Sequence, residues 1–211
     1  MITVSRLYDD HDTAARAVDE LERSGIAASD IAIISSNADG WYDKDREPSI
    51  SHKRLDRDLD GVDDRREGAD AGAAIGGTAG GVAGLLAGLG MLAIPGLGPV
   101  VAAGWLVSTA TLGVGGGVVG GIIGALTQTG TSEDDAHLYA EGVRRGGTMV
   151  SARVPDAEQG RVAAILDRSA IDIRNRARMW EKSGWHRFDP NAPAFTADEI
   201  RRERELYRTR V

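Results

Sequence analysis

The chain has 211 residues, with 28 glycines, no cysteine and 5% aromatic residues, and its 25 Lys and Arg stand against 32 Asp and Glu. This composition excludes a disulfide-stapled scaffold and a generally basic nucleic-acid binder, so nucleic acid is not an expected partner. Basic and acidic residues number 10 and 18 up to position 70, 5 and 7 over 71–171, and 10 and 7 over 172–211. An acidic front, a near-neutral middle and a basic end predict three differently used segments.

In chain order, Ile2 and Val4 alternate with Thr3 and Ser5, and Ile31 and Ile33 flank Ala32, so both stretches predict half-buried strands. The helix expected between them has Ala14, Ala17, Val18 and Leu21 at i, i+3, i+4, i+7, an Asp at 10 or 12 as N-cap, and Gly25 just past its end. Residues 1–36 thus form the first half of an α+β unit. No cationic stretch followed by an apolar one opens the chain, so no secretory signal is expected, and the expected location is cytoplasmic or membrane-associated. Residues 37–70 turn to Asp, Arg, Ser and Gly and predict an acidic linker, too poor in apolar surface to offset the entropy of ordering.

From Ala71 to Ser132 no residue is charged, and Gly, Ala, Leu, Ile and Val dominate. Pro95 and Pro99, with Gly96 and Gly98, interrupt the run and predict a turn, leaving a helical hairpin over 71–131. Helices over 71–94 and 100–127 would be ~36 and ~42 Å long at 1.5 Å per residue, against a bilayer core ~30 Å thick. At 100° per residue, Gly72, Gly76, Gly80, Gly84 and Gly88 share one side of the first helix, opposite Leu85, Leu89 and Leu92. In the second, Gly113, Gly117, Gly120, Gly121 and Gly124 lie opposite Trp105, Val118 and Ile122. Each glycine weakens an isolated helix by about 1 kcal/mol relative to alanine, and close helix-to-helix approach is the known compensation. The hairpin is therefore expected to pair, either with other copies in a homo-oligomer or at a membrane, with Trp105 near the lipid interface.

After the run, Ser132 and Asp135 predict a capping box, Ala136, Tyr139, Ala140 and Val143 a buried helical stripe, and Gly146 its end. Thr148–Val154 reads as a strand stopped by Pro155, a helix follows around Val162, Ile165 and Leu166, and Ile171–Ile173 is expected as a last short strand. Residues 132–173 thus form the second half of the unit. The fold class expected is α+β: a ferredoxin-like β-α-β…β-α-β unit carrying an inserted glycine-zipper helical hairpin and a C-terminal helical tail.

The turn Ala93-Ile94-Pro95-Gly96-Leu97-Gly98-Pro99-Val100 is flanked by glycine zippers and followed by Asp135-Ala136-His137-Leu138-Tyr139 and Gly146-Gly147-Thr148-Met149-Val150. This order resembles bacterial general-stress and low-temperature-induced proteins over about residues 1–170. The resemblance implies a stress-responsive, non-enzymatic protein.

Asp56, Asp58 and Asp60 precede Gly61, and Glu67 stands six residues after that glycine, the D-x-D-x-D-G-x5-E spacing of a calcium loop, with the Val62 carbonyl as a further ligand. Against Ca2+ stands a solvated acidic linker relieved by Arg57, Arg65 and Arg66, and both readings stay open. Gly115–Gly120 satisfies G-x-G-x-x-G but follows an apolar helical pattern in place of a strand, so no nucleotide is expected. His11, His52, His137 and His186 are scattered and indicate no catalytic cluster, and no enzyme is expected. The tail, 174–211, mixes Arg174, Arg176, Arg178, Lys182 and Arg187 with Trp180, Trp185 and Phe188. It is expected either to pack on the α+β unit or a neighbouring subunit, with Asp198–Arg210 a charged, solvated helix, or to meet an anionic membrane surface, ahead of single-stranded nucleic acid. Taken together, the expected function is a non-enzymatic, self-associating or membrane-associating protein; the alternatives are a soluble structural homo-oligomer or a calcium-responsive binding module.

Overall fold

A computed structural model describes residues 1–42, 90–94, 97–105, 123–124 and 126–208. It is a mixed α/β fold around an antiparallel five-stranded sheet. The strands are β1 (Ile2–Tyr8), β2 (Ile31–Ser36), β3 (Gly90–Ile94), β4 (Gly98–Gly104) and β5 (Thr148–Val154), in the spatial order β1-β5-β2-β4-β3. The helices are α1 (His11–Arg23), α2 (Glu133–Arg144), α3 (Gln159–Leu166), α4 (Ile173–Lys182) and α5 (Ala197–Arg208).

Local chemistry sets the helix limits as expected. The Asp10 carboxylate accepts from the Thr13 backbone N–H at 2.8 Å, and Gly25 takes φ +94° beyond the end of α1. Ser132 Oγ accepts from Asp135 N at 3.1 Å and donates to its carboxylate at 2.8 Å, and Gly146 follows α2 at φ +92°.

The sheet is covered on both faces. Val4, Tyr8, Ile31, Ile33, Val150 and Val154 meet α1 through Val18 and Leu21 and α3 through Val162 and Leu166. Leu7, Ala32, Ile34 and Met149 on the opposite face meet α2 through Ala136, Tyr139, Ala140 and Val143. All residues of β2 are consequently buried, where alternation in the sequence suggested one wet face. The polar residues on the covered strands satisfy one another across the ladder. Ser5 and Ser151, partners in register, bond Oγ to Oγ at 2.8 Å, and Ser35 and Thr148 do the same at 2.7 Å.

Two expectations are overturned. The turn at Pro95–Pro99 was to join helices ending at Ile94 and starting at Val100, yet Gly90–Ile94 and Gly98–Gly104 are paired strands, with Leu92 opposite Val100 and Ala32 opposite Gly104. The extended bias at Ile94 before Pro95 and the β-branched pair Val100-Val101 favour strands, and Gly98 enters β4 at φ +81°, which glycine allows. A strand buried on both faces is also a continuous apolar run, which periodicity cannot tell from a helix. At Gly104, with φ +87°, a Cβ would lie 2.1 Å from the Ile31 carbonyl oxygen, so β4 approaches β2 as only glycine allows. The rest of the two expected helices lies outside the described residues, apart from residues 123–124 and 126–128, which are helical.

The second correction concerns Ile171–Ile173, which is no strand. Ile171 N donates to Leu7 O at 2.9 Å, one bond along the outer edge of β1, and Asp172 then caps α4 by accepting from Asn175 N at 2.9 Å. Capping chemistry at Asp172 outweighs the alternation of two isoleucines.

Candidate functional site

Most residues singled out from the sequence lie outside the described residues: Asp56, Asp58, Asp60, Val62 and Glu67 of the calcium spacing, Gly72, Gly76, Gly80, Gly84 and Gly88 of the first zipper, Gly113, Gly117, Gly120 and Gly121 of the second, and Pro95 and Gly96 of the turn. Among those described, Gly124 is helical with open space where a Cβ would stand. Pro99 is exposed, and its carbonyl accepts from Asn37 N at 2.8 Å. Gly98 lies under the C-terminal segment, for a Cβ there would come within 2.7 Å of the Ala194 methyl. Trp105 is not at a surface: it is 8% exposed, packed in the α2-side core, with the Arg153 guanidinium 4.9 Å from its ring centre. No group of three or more His, Asp and Glu among the described residues is arranged to hold a metal.

The structure gathers instead a charged and aromatic joint at the C-terminal end of α2. Glu141 is fully buried, and its Oε1 accepts from Arg144 at 3.0 Å and from Arg145 at 2.6 Å. Arg145 continues to Glu203 of α5, and its guanidinium lies 5.1 Å from the Trp180 ring centre. Arg144 and Arg145 both stand against Phe195, at 5.3 and 5.0 Å. Trp180 donates its indole N–H to the Tyr207 hydroxyl at 2.7 Å, and that hydroxyl bonds Glu203 in turn. Burial and the Glu203 carboxylate push the Tyr207 phenol up to about 12.

Arg176 and Arg204 close the joint. Arg176 reaches Asp9 at 3.0 Å and lies 3.6 Å over the Tyr207 ring, while Arg204 donates to the Gly146 carbonyl at 2.7 Å. The glycines let the layers meet: a Cβ on Gly142 would be 2.3 Å from Leu7 Cδ2, and one on Gly146 2.3 Å from Ile200 Cγ2. Between Tyr8, Gly147, Arg145, Trp180 and Tyr207 remains a hollow of about 10 Å3, room for about one water and for no organic substrate.

The tail is therefore docked on the α/β body, as one of its sequence readings had it: Trp180, Phe188 and Ile200 are 2%, 3% and 1% exposed. Each joint cation faces a carboxylate, Arg204 meeting Asp39 at 3.4 Å, so the cluster fixes one segment to another. Sequence reasoning passed over Glu141, Arg144 and Arg145. The sequence hints at them without showing their partners: Glu141 adjoins Ala140 in the buried stripe, and the arginine doublet closes a helix ahead of an aromatic tail.

Outside the tail joint, burial pushes the Tyr8 and Tyr139 phenols up, and their hydroxyls donate to Leu166 O at 3.0 Å and Ser5 O at 2.6 Å. His11 stacks on Trp41 with centroids 4.2 Å apart, and burial holds its pKa below the ordinary imidazole value. No family model, curated protein or solved structure matches the chain.

Proposed function

We propose that this chain is a non-enzymatic, general-stress-type protein that self-associates through its charge-free glycine-rich run, with the α/β body as the carrier of that run. The observation that carries the reading is the packing of the described residues that flank the second glycine-rich stretch, 106–122, of that run. Trp105, where the chain leaves β4, and Ile123 and Leu126, where it returns, belong to one apolar cluster on the α2 face. The described residues on either side of 106–122 therefore share one core. Six of the 17 residues between them are glycine and none is charged.

Such a segment gains little from water, and contact with like segments offsets the ordering entropy of its glycines. The partner proposed is a second copy, whose like segment offers matching glycine faces; no described helix is long and apolar enough to cross a membrane. The finer architecture is part of the same reading. β1-α1-β2 and β5-α3 form a split β-α-β core, with α1 and α3 on one face. Residues 37–147 are an insertion that adds β3, β4 and α2.

Size-exclusion chromatography with light scattering on the full chain in detergent-free buffer tests the proposal. The expected result is a mass that is a multiple of the chain mass and rises with concentration. A monomer at all concentrations refutes it, and a monomer that binds vesicles of neutral or anionic phospholipid points to lipid as the partner instead.

A further inference from the structure

We propose that residues 183–196, which join α4 to α5, form an acid-releasable strap latched by His137 and Arg187. The latch is a matter of donors and acceptors. Arg187 Nε is a permanent donor, and it sits 2.9 Å from His137 Nε2. His137 Nε2 must therefore offer its lone pair, which makes the ring neutral with its proton on Nδ1. A proton added to Nε2 sets one N–H against another and places an imidazolium beside a guanidinium.

The groups that face His137 are known from both elements. On α2 these are Glu133, 3.8 Å away, and Asp134, which favour the charged ring; on the strap it is Arg187, which disfavours it. Burial and Arg187 prevail and hold the pKa below the ordinary histidine value. Glu133 is shared, because it also pairs with Arg187, so charging His137 sets two cations in competition for one carboxylate.

The strap has something to cover. Phe188, next to Arg187, is 3% exposed and lies in the cluster with Leu97, Leu126 and Tyr139, and Ala194 lies against Gly98, the first residue of β4. The helices at its ends are held separately. Arg174 meets Asp135 at 2.7 Å and Arg176 meets Asp9, while Arg145 and Arg204 hold α5. Acid thus loosens the middle of the tail and leaves its ends attached, which uncovers the Phe188 seat beside both ends of the glycine-rich run.

Hydrogen exchange on the full chain, corrected for intrinsic rates, tests it. Between about pH 7.5 and 5.5 the protection of 185–196 relative to β5 is expected to fall at least about twofold in the wild type. It is expected to change less in His137→Gln, and to fall as in the wild type in His11→Gln. Arg187→Ala is expected to show low protection of the strap at both pH values. Wild-type protection that ignores pH, or an acid loss that persists in either His137→Gln or Arg187→Ala, overturns the proposal.

Discussion

Replacing Gly104 with alanine tests the strand pairing at the centre of the structure. Gly104 has φ +87°, and a Cβ there would stand 2.1 Å from Ile31 O and 2.8 Å from Ala32 Cα, both backbone atoms of the paired strand β2. The left-handed backbone costs a non-glycine residue about 1–2 kcal/mol. Relief of the clash by backbone movement adds about 1–3 kcal/mol, so Gly104→Ala is expected to destabilise by about 2–5 kcal/mol. Gly25 supplies the control. Its φ is +94° but nothing lies within 4 Å of the added carbon, so Gly25→Ala loses only the conformational part, about 1–2 kcal/mol. Urea unfolding followed by far-UV circular dichroism reads both, as shifts in midpoint at constant slope. The sign itself discriminates. In a helix over 100–127 the same substitution would stabilise by about 1 kcal/mol. Gly104→Ala as stable as the wild type, or no worse than Gly25→Ala, would refute the pairing of β4 with β2.

Removal of Glu141 leaves Arg144 and Arg145 short of their shared carboxylate, and Glu141→Ala is expected to cost about 3–5 kcal/mol in urea unfolding. Deletion of the exposed Arg168–Glu20 pair by Arg168→Ala is expected to cost under about 1 kcal/mol by the same measurement. Because the fold depresses the pKa values of His11 and His137, the stability they contribute is complete above the ordinary imidazole value and declines as pH falls through it toward the depressed values. Thermal melts from about pH 7.5 down to 5.5 should show this loss, and His11→Gln combined with His137→Gln should flatten it; Glu22, whose carboxyl burial raises, acts in the opposite sense at lower pH. Calorimetry separates the two readings of the acidic stretch. Calcium heat that Glu67→Gln abolishes supports the loop, and no heat leaves a solvated linker.

The parts of the fold legible in the sequence are those where local chemistry and burial agree. Asp10 and Ser132 cap where side-chain oxygens precede apolar stripes, and Ala14, Ala17, Val18 and Leu21 are buried as their spacing required. The hairpin of β3 and β4 was illegible because its strands are apolar on both faces. Glycine at 104 also serves close backbone approach, which looks in a sequence like one more member of a zipper. The joint was illegible for a different reason. Glu141, Arg144 and Arg145 are ordinary helix-surface residues until Trp180, Phe195 and Glu203 arrive from the tail, and that meeting depends on tertiary packing that no short-range spacing encodes.

Self-association through the glycine-rich run is tested most directly by sedimentation velocity on the full chain across a range of concentrations. The wild type is expected to show species heavier than the monomer that grow with concentration. The double substitution Gly80→Leu and Gly117→Leu, which fills the proposed contact faces with bulk, is expected to sediment as a monomer with an unchanged circular dichroism spectrum. A wild type that stays monomeric throughout, or a double variant that associates as the wild type does, would contradict the account.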